Sequence, residues 1–486
     1  MQKILSYTAF ALLFSTAGCK KFLEKNPDNR AAVSTPSQVS QLLGTAYPQG
    51  NYMAFTESIS DNVTDKGSGT QERINVDPYF FQDVADNQQD SPENYWNACY
   101  TAIAAANQAL EAIRNAADTT LYSAQKGEAL VCRAYAHFML VTLFSKVYDP
   151  GTAAQDMGIP YVTTPENVVF KNYDRRTVAY VYQMIEQDLT QGLPLIDDTK
   201  YTVPRYHFTK AAANAFAARF YLFKQEYAKV VTHANAIFSG GNITSLLRPW
   251  NTVYLTKTPQ EMWALYQKAT EPANLLLVET VSNWGRDYFT VRYAMNSEKR
   301  DEIYESERIF SDTSEWAFRY QTYTAGTNNY LVPKINEYFV RNSVNANIGL
   351  PYVMVPLFTT EEVLFNRAEA YIYLNNVNAA IQDLNTYAST RVVGYKTADH
   401  QITPDKLKAA YGSNDVRLNA LNALLDFKRA EYVQEGMRWF DIIRYDITVT
   451  HTTTDGRTLS LPANSPQRVF QLPESVSLSG MPLNPR

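Results

Sequence analysis

Apolar and polar positions along this chain alternate with a helical period in separated blocks. Residues 93 to 117 place Trp96, Cys99, Tyr100, Ile103, Ala106, Leu110 and Ile113 at spacings of three and four, one face of an α-helix. Residues 127 to 144 repeat the pattern with Leu130, Ala134, Phe138, Val141 and Leu143, so the two blocks predict a helical hairpin. Further helices are predicted over 176 to 189 and over 209 to 238, the latter broken near Lys224 and Gln225 before Tyr227, Val230, Val231 and Ala234 resume the stripe. At 360 to 391, Thr359 with Glu362 fits a capping box, and Val363, Leu364, Ala368, Tyr371 and Ile372 line one face. Asn375-Asn376 offers a left-handed stop before Val377, Ala380, Ile381, Leu384 and Ala388 begin a second helix. A last helical stretch runs from 416 to 446, with Gly436 as its joint.

The wording Ala368-Glu369-Ala370-Tyr371, a polar turn, then Ala380 and Leu384 echoes Ala217-Ala218-Arg219-Phe220 followed by Tyr227-Ala228. Small residue, aromatic, short turn, small residue resembles a degenerate tetratricopeptide unit. Two stretches lack sustained helical period: 240 to 358, inserted between these units, and 48 to 92, ahead of the first helical block. The longer one holds four of the six tryptophans, Trp250, Trp263, Trp284 and Trp316. Long loops in a compact protein are functional or disordered, and aromatic richness argues against disorder.

The N-terminus reads differently. Lys3 precedes an apolar run from Ile4 to Phe14 and the small residues Thr16, Ala17 and Gly18, after which the chain turns polar at Lys20 and Lys21. That is a secretory signal. Cys19, placed right after it, resembles the lipidated cysteine of a bacterial lipobox, although Thr16 stands where that motif carries a larger aliphatic residue. The run is shorter than the roughly 20 apolar residues that span a bilayer. Residues 1 to 18 are therefore expected to be a removed signal, Cys19 the lipid attachment point, and 19 to 36 a polar tether.

Composition adds exclusions. Charged residues make up 19% and the net charge is -5, with no basic stripe, so nucleic acid is not an expected partner. Cys99 and Cys132 would sit about seven residues out of register in the predicted hairpin, roughly 10 Å at 1.5 Å per residue. That exceeds disulfide reach, and buried free thiols are expected. No His-Glu-x-x-His, phosphate loop or nucleophile elbow is present, and the five histidines are isolated, so neither an enzyme, a metal site nor a cofactor is expected. His137 is read as a helix-face residue with a local partner, Trp96 and Trp439 as packing residues, and Asp61, Asn62 and Asp65 as turn residues without calcium-loop spacing.

Sugar binding needs aromatic faces for the C–H face of a pyranose, rimmed by amides and carboxylates. Trp284, Tyr288 and Trp316, with Asn283, Arg286 and Asp287 nearby, have that chemistry, and Tyr79 and Phe80 supply candidates from the other irregular stretch. The alternative is that such aromatics form the private core of the lobe.

Five blocks in order resemble the SusD/RagB lipoproteins of Bacteroidetes. They are Cys19-Lys20-Lys21-Phe22-Leu23-Glu24; Tyr95-Trp96 with Tyr100, Ile103 and Ala106-Asn107; and Glu128-Ala129 with Arg133-Ala134-Tyr135 and Phe138. The fourth runs from Arg429-Ala430-Glu431 through Glu435-Gly436-Met437-Arg438-Trp439-Phe440-Asp441 to Arg444-Tyr445, and the last is Leu472-Pro473-Glu474-Ser475 with Asn484-Pro485. The resemblance implies an all-α fold of four tetratricopeptide-like helix pairs with an irregular, loop-rich ligand lobe. It makes residues 37–486 a single SusD-like domain, the scaffold mainly 93–239 and 359–446, the lobe mainly 48–92 and 240–358. It further implies a surface-facing lipoprotein, anchored in the outer membrane by its N-terminal lipid, that captures oligosaccharides for a SusC-like TonB-dependent transporter. Peptide cargo, as in the RagB branch, is the alternative within the family; a surface glycoside hydrolase and a helix-pair scaffold that binds no ligand are the alternatives outside it. Within the fourth block Arg438 and Asp441 stand at i, i+3, the spacing of a helical ion pair, and Gly436 permits close packing or a bend.

Overall fold

Helix pairs form where the periodicity placed them. The structure, a computed structural model, describes residues 34–166, 171–304, 309–310, 316–324 and 328–486, so the export segment, Cys19 and most of the tether lie outside the described residues. The helix Pro92–Arg114 starts at Ser91, whose hydroxyl accepts from the Asn94 N–H, with Pro92 in the first turn where no N–H is needed. Its partner Ser123–Phe144 is buried on every side and lies between Pro92–Arg114 and Val178–Gly192. An all-round apolar surface suits a helix at the centre of a core. Cys99 and Cys132 are free and buried, and burial pushes both thiols far above their usual range.

Two further pairs share one design. Lys210–Phe223 turns into Tyr227–Ile237 through Gln225 at φ 63°, and Thr360–Tyr373 turns into Val377–Ala388 through Asn375 at φ 61°. A left-handed residue after the last helical turn stops each first helix. The pairs pack together, and Tyr227 stacks on Tyr373 at 4.4 Å with an interplanar angle of 2°. The last pair is Pro404–Tyr411 with Val416–Glu431, and its first helix falls in a stretch where the periodicity predicted none.

Three local expectations change. Only half of the capping box forms: the Thr359 hydroxyl accepts from the Glu362 N–H, while the Glu362 carboxylate turns to the buried Arg219. Arg438 does not bond Asp441; it reaches Asp61, and Asp441 holds Lys428 instead. The stretch 240–358, expected to be irregular, contains a three-stranded antiparallel sheet in which Gly349–Thr359 lies between Asn274–Val281 and Glu337–Arg341. Val353 and Val355 point inward and Tyr352 and Met354 outward, the period of two that Pro351 and Pro356 interrupt in the sequence. That strand runs directly into the scaffold helix at Thr359, fixing the lobe to the helices.

Buried ion pairs complete the attachment. Glu361 accepts from Arg248 Nη1 at 2.9 Å and Arg391 Nη2 at 3.1 Å, while Arg391 Nε donates to Glu431 at 2.8 Å. Lys334 of the lobe donates to Glu435 at 2.8 Å. Arg248, Arg391 and Lys334 therefore tie the lobe and the helix ends together in a water-free interior, where removing one partner of a pair costs about 3–5 kcal/mol.

Candidate functional site

The two irregular stretches meet. Thr64 and Asp65 pair with Ala294 and Tyr293 as a short antiparallel ladder, and Asp65 takes Arg292 in a two-pronged contact at 2.7 and 2.9 Å. Burial alone would raise the Asp65 carboxyl, but Arg292 and the N–H groups of Gly67 and Thr454 outweigh it and hold it down at about 2.

Four rings stack across this junction. Tyr79 lies 4.1 Å from Tyr293 on one side and 4.2 Å from His451 on the other, and Phe81 covers the far face of His451 at 4.8 Å. The Tyr79 hydroxyl donates to the Thr452 carbonyl at 2.9 Å. Phe80 packs edge-on to Tyr79 and Tyr293, stays partly exposed, and has the Arg457 guanidinium 5.8 Å above its ring.

From Phe81 the chain enters a groove of ≈ 820 Å³ between residues 82–93 and the C-terminal segment. Its walls carry Gln82, Asp86, Asn87, Glu93, Gln467 and Glu474 over a floor of Ile59, Phe470 and Leu472. Asp83 and Arg486 close one rim with an ion pair at 2.6 Å. Amides and carboxylates over an apolar floor can satisfy the hydroxyls of a polar, flat-faced ligand.

The structure brings Trp284 to Tyr288 at 5.7 Å and Tyr79 to Phe80 at 5.5 Å, sets Trp316 apart from both pairs, and buries all but Phe80. Trp284 is 4% exposed and its indole N–H donates to the Gln434 carbonyl at 3.0 Å. Tyr288 is 2% exposed and donates to the Ile335 carbonyl at 2.8 Å. Trp316 lies elsewhere, edge-on to Phe427 at 5.0 Å among scaffold rings. Tyr79 is fully buried within its stack. Trp284, Tyr288 and Tyr79 pack inside the lobe and Trp316 packs against the scaffold, and none presents an open face; a lobe built of loops needs large rings to hold its shape. Only Phe80 of the five reaches the surface.

The polar neighbours act in the same joint. Asp90 accepts the Ser282 hydroxyl at 2.6 Å and the Asn283 N–H at 2.7 Å, clasping the two irregular stretches just before Trp284. Burial pushes Asp90 up to about 6 and Asp287 up to about 7, the latter helped by the Asp90 charge. Arg286 pairs with Glu337 at 2.7 Å. Asp61, Asn62 and Asp65, read as turn residues, are partners of arginines: Asp61 of Arg438, Asn62 of Arg429, Asp65 of Arg292. His137 bonds the Arg133 carbonyl, accepts the Val162 N–H and stacks on Tyr161, as a helix-face residue with local partners does.

The groove residues escaped the sequence reading because their two walls lie nearly the whole chain apart and carry no aromatic or metal-ligand signature. The available pointers were Phe81, just before the first wall, and the family block Leu472-Pro473-Glu474-Ser475, which lines the second.

A helix-repeat scaffold carrying a loop-built lobe with a polar groove defines a binding module. The comparisons agree: residues 21–222 match a family model described as starch-binding associating with outer membrane, and residues 285–466 match the SusD family. The chain belongs to the SusD/RagB family. Similar solved structures include a SusD superfamily protein from Bacteroides thetaiotaomicron, 17% identical, with a TM-score of 0.69 over 93% of this chain and 100% of that one. A putative sugar binding protein from Bacteroides vulgatus is 19% identical, with a TM-score of 0.67 over 94% and 99%. A laminarin binding SusD-like protein is 16% identical, with a TM-score of 0.63 over 93% and 99%. At these identities the likeness shows the shared helical fold. No curated protein matches the sequence.

Proposed function

We propose that this chain is a surface lipoprotein of the outer membrane that captures oligosaccharides and delivers them, unaltered, to a SusC-like TonB-dependent transporter. Membership of a family described by starch binding at the outer membrane carries this reading. Two observations support it. Cys19 follows an export segment, so the domain is tethered where nutrients arrive. The groove that begins one residue after Phe81 offers amides and carboxylates over an apolar floor. Trp284, Tyr288 and Tyr79 hold the lobe in shape from its interior.

The test is calorimetric titration of the protein lacking residues 1–19 with β-glucan and α-glucan oligosaccharides, and with peptides of matched length. Binding of a glycan that is recovered intact is expected. Replacing Gln82 by Ala together with Glu93 by Gln should weaken it roughly tenfold, the effect of about 1.4 kcal/mol. Peptide binding without glycan binding would move the cargo to the other class.

A further inference from the structure

Beside the first groove lies a second, of ≈ 600 Å³, and Val469 lines both. One wall is the chain that leaves the helix Ser123–Phe144, and the other is the segment before Phe470. The Asn484 side-chain amide donates to the carbonyls of Phe144 at 3.1 Å and Phe470 at 2.8 Å, stapling the two walls together. Ser145 and Arg468 are thereby brought to the same groove.

Arg468 is 7% exposed, and burial works against its charge. Its two Nη groups donate to the carbonyls of Ile447 and Ile442, while its Nε has no partner among the described residues. Every other buried lysine or arginine among those residues holds a carboxylate, as Arg133 holds Asp188, Arg219 holds Glu362 and Lys428 holds Asp441. On the groove itself, Asp156 is taken by Lys146 at 2.7 Å and Asp149 by the Gly151 N–H at 2.7 Å. Asp446 is the carboxylate that acts on Arg468, and it does so from beyond ion-pair range.

The same wall holds a second unsatisfied group. Ser145 is 3% exposed, and its Oγ has no hydrogen-bond partner among the described residues. A buried ion without a counter-charge and a buried hydroxyl without a partner are both costly, and a bound anion relieves both. The guanidinium fork matches a carboxylate, whose oxygens can accept from Arg468 and from Ser145. We propose that this second groove is a carboxylate-binding site built on Arg468, taking a uronic acid residue of an acidic oligosaccharide. The step from carboxylate to uronic acid rests on the glycan reading above; the carboxylate site itself does not.

The probes are a galacturonic acid trimer, the neutral galactose trimer, and one tripeptide with its C-terminus either free or amidated, each titrated into the protein lacking residues 1–19. The galacturonic acid trimer should bind roughly tenfold more tightly than the galactose trimer, and Arg468→Gln should abolish that preference. Asp446→Asn removes the carboxylate that competes with the ligand, at a φ of 51° that asparagine adopts as readily as aspartate. That variant should tighten uronate binding roughly threefold, a gain that a purely structural Arg468 would not produce. Equal affinity for the two trimers overturns the proposal, as does uronate binding that is unchanged or weakened in Asp446→Asn. Binding of the free tripeptide that is lost on amidation, without uronate binding, overturns the assignment to an acidic sugar. Titration with the neutral glucan oligosaccharides reads the first groove separately, so each reading can fail alone.

Discussion

Arg438 places Nε and Nη2 against the two carboxylate oxygens of Asp61 at 2.9 and 2.8 Å, joining the closing helical block to the turn after Met53–Ser58. Arg429 bonds the Asp61 carbonyl at 2.8 Å and lies within ion-pair range of its carboxylate. Burial would raise the Asp61 carboxyl, but the two arginines outweigh it and hold it well below its usual range. A double-mutant cycle between residues 61 and 438 should give a coupling above about 1 kcal/mol, and one between 438 and 441 under about 0.5 kcal/mol. Chemical denaturation measures both, and the reverse order would contradict the geometry.

Gly436, two residues upstream, sits at φ +70°, and a Cβ there would come 2.9 Å from the Met53 Cα. Backbone cannot yield as a side-chain tip does, so Gly436→Ala should cost at least about 2–3 kcal/mol, combining left-handed strain with overlap. Gly412 has φ +78° with open space around it, and Gly412→Ala should cost only about 1 kcal/mol. Equal losses in urea unfolding would mean that strain alone decides.

The buried aromatics should report on stability more than on affinity. Trp316→Ala empties a site among Phe310, Tyr387 and Phe427 and is expected to cost about 3–5 kcal/mol. Phe80→Ala removes a half-exposed ring and should cost under about 1.5 kcal/mol while weakening glycan binding. Melting curves alongside titrations separate the two effects.

Asp287 and Asp90 make the lobe sensitive to alkali. The folded Asp287 carboxyl, at about 7, lies above its unfolded value, so its contribution is complete at acid pH and is lost as pH rises through 7. Asp287→Asn should thus leave the melting temperature nearly unchanged at pH 4 and raise it relative to the parent at pH 8. A pH-independent difference between the two proteins would rule out this source.

Cys19→Ala should leave glycan binding in solution unchanged and abolish retention in the membrane fraction. Fractionation followed by detergent partitioning checks this, and normal attachment of the variant would remove the anchor assigned to Cys19.

The sequence by itself determined the helical pairs, because each buries one apolar stripe with a period of 3.6, and such a stripe is visible wherever it stands in the chain. It also determined the stops at Gln225 and Asn375, where a left-handed residue follows each helix. The family blocks and the free state of Cys99 and Cys132 were legible for the same local reason. What only the tertiary structure decided depends on residues far apart: that Arg438 meets Asp61 rather than Asp441, and that Glu362 turns from its cap to Arg219. The lobe strands show the limit most directly, since Pro351 and Pro356 mask a period of two that holds only once Asn274–Val281 lies alongside. Exposure was the last quantity to be fixed. A tryptophan's side chain fits a binding surface or a core equally well, and only packing against Gln434, Phe427 and their neighbours committed Trp284 and Trp316 to the interior.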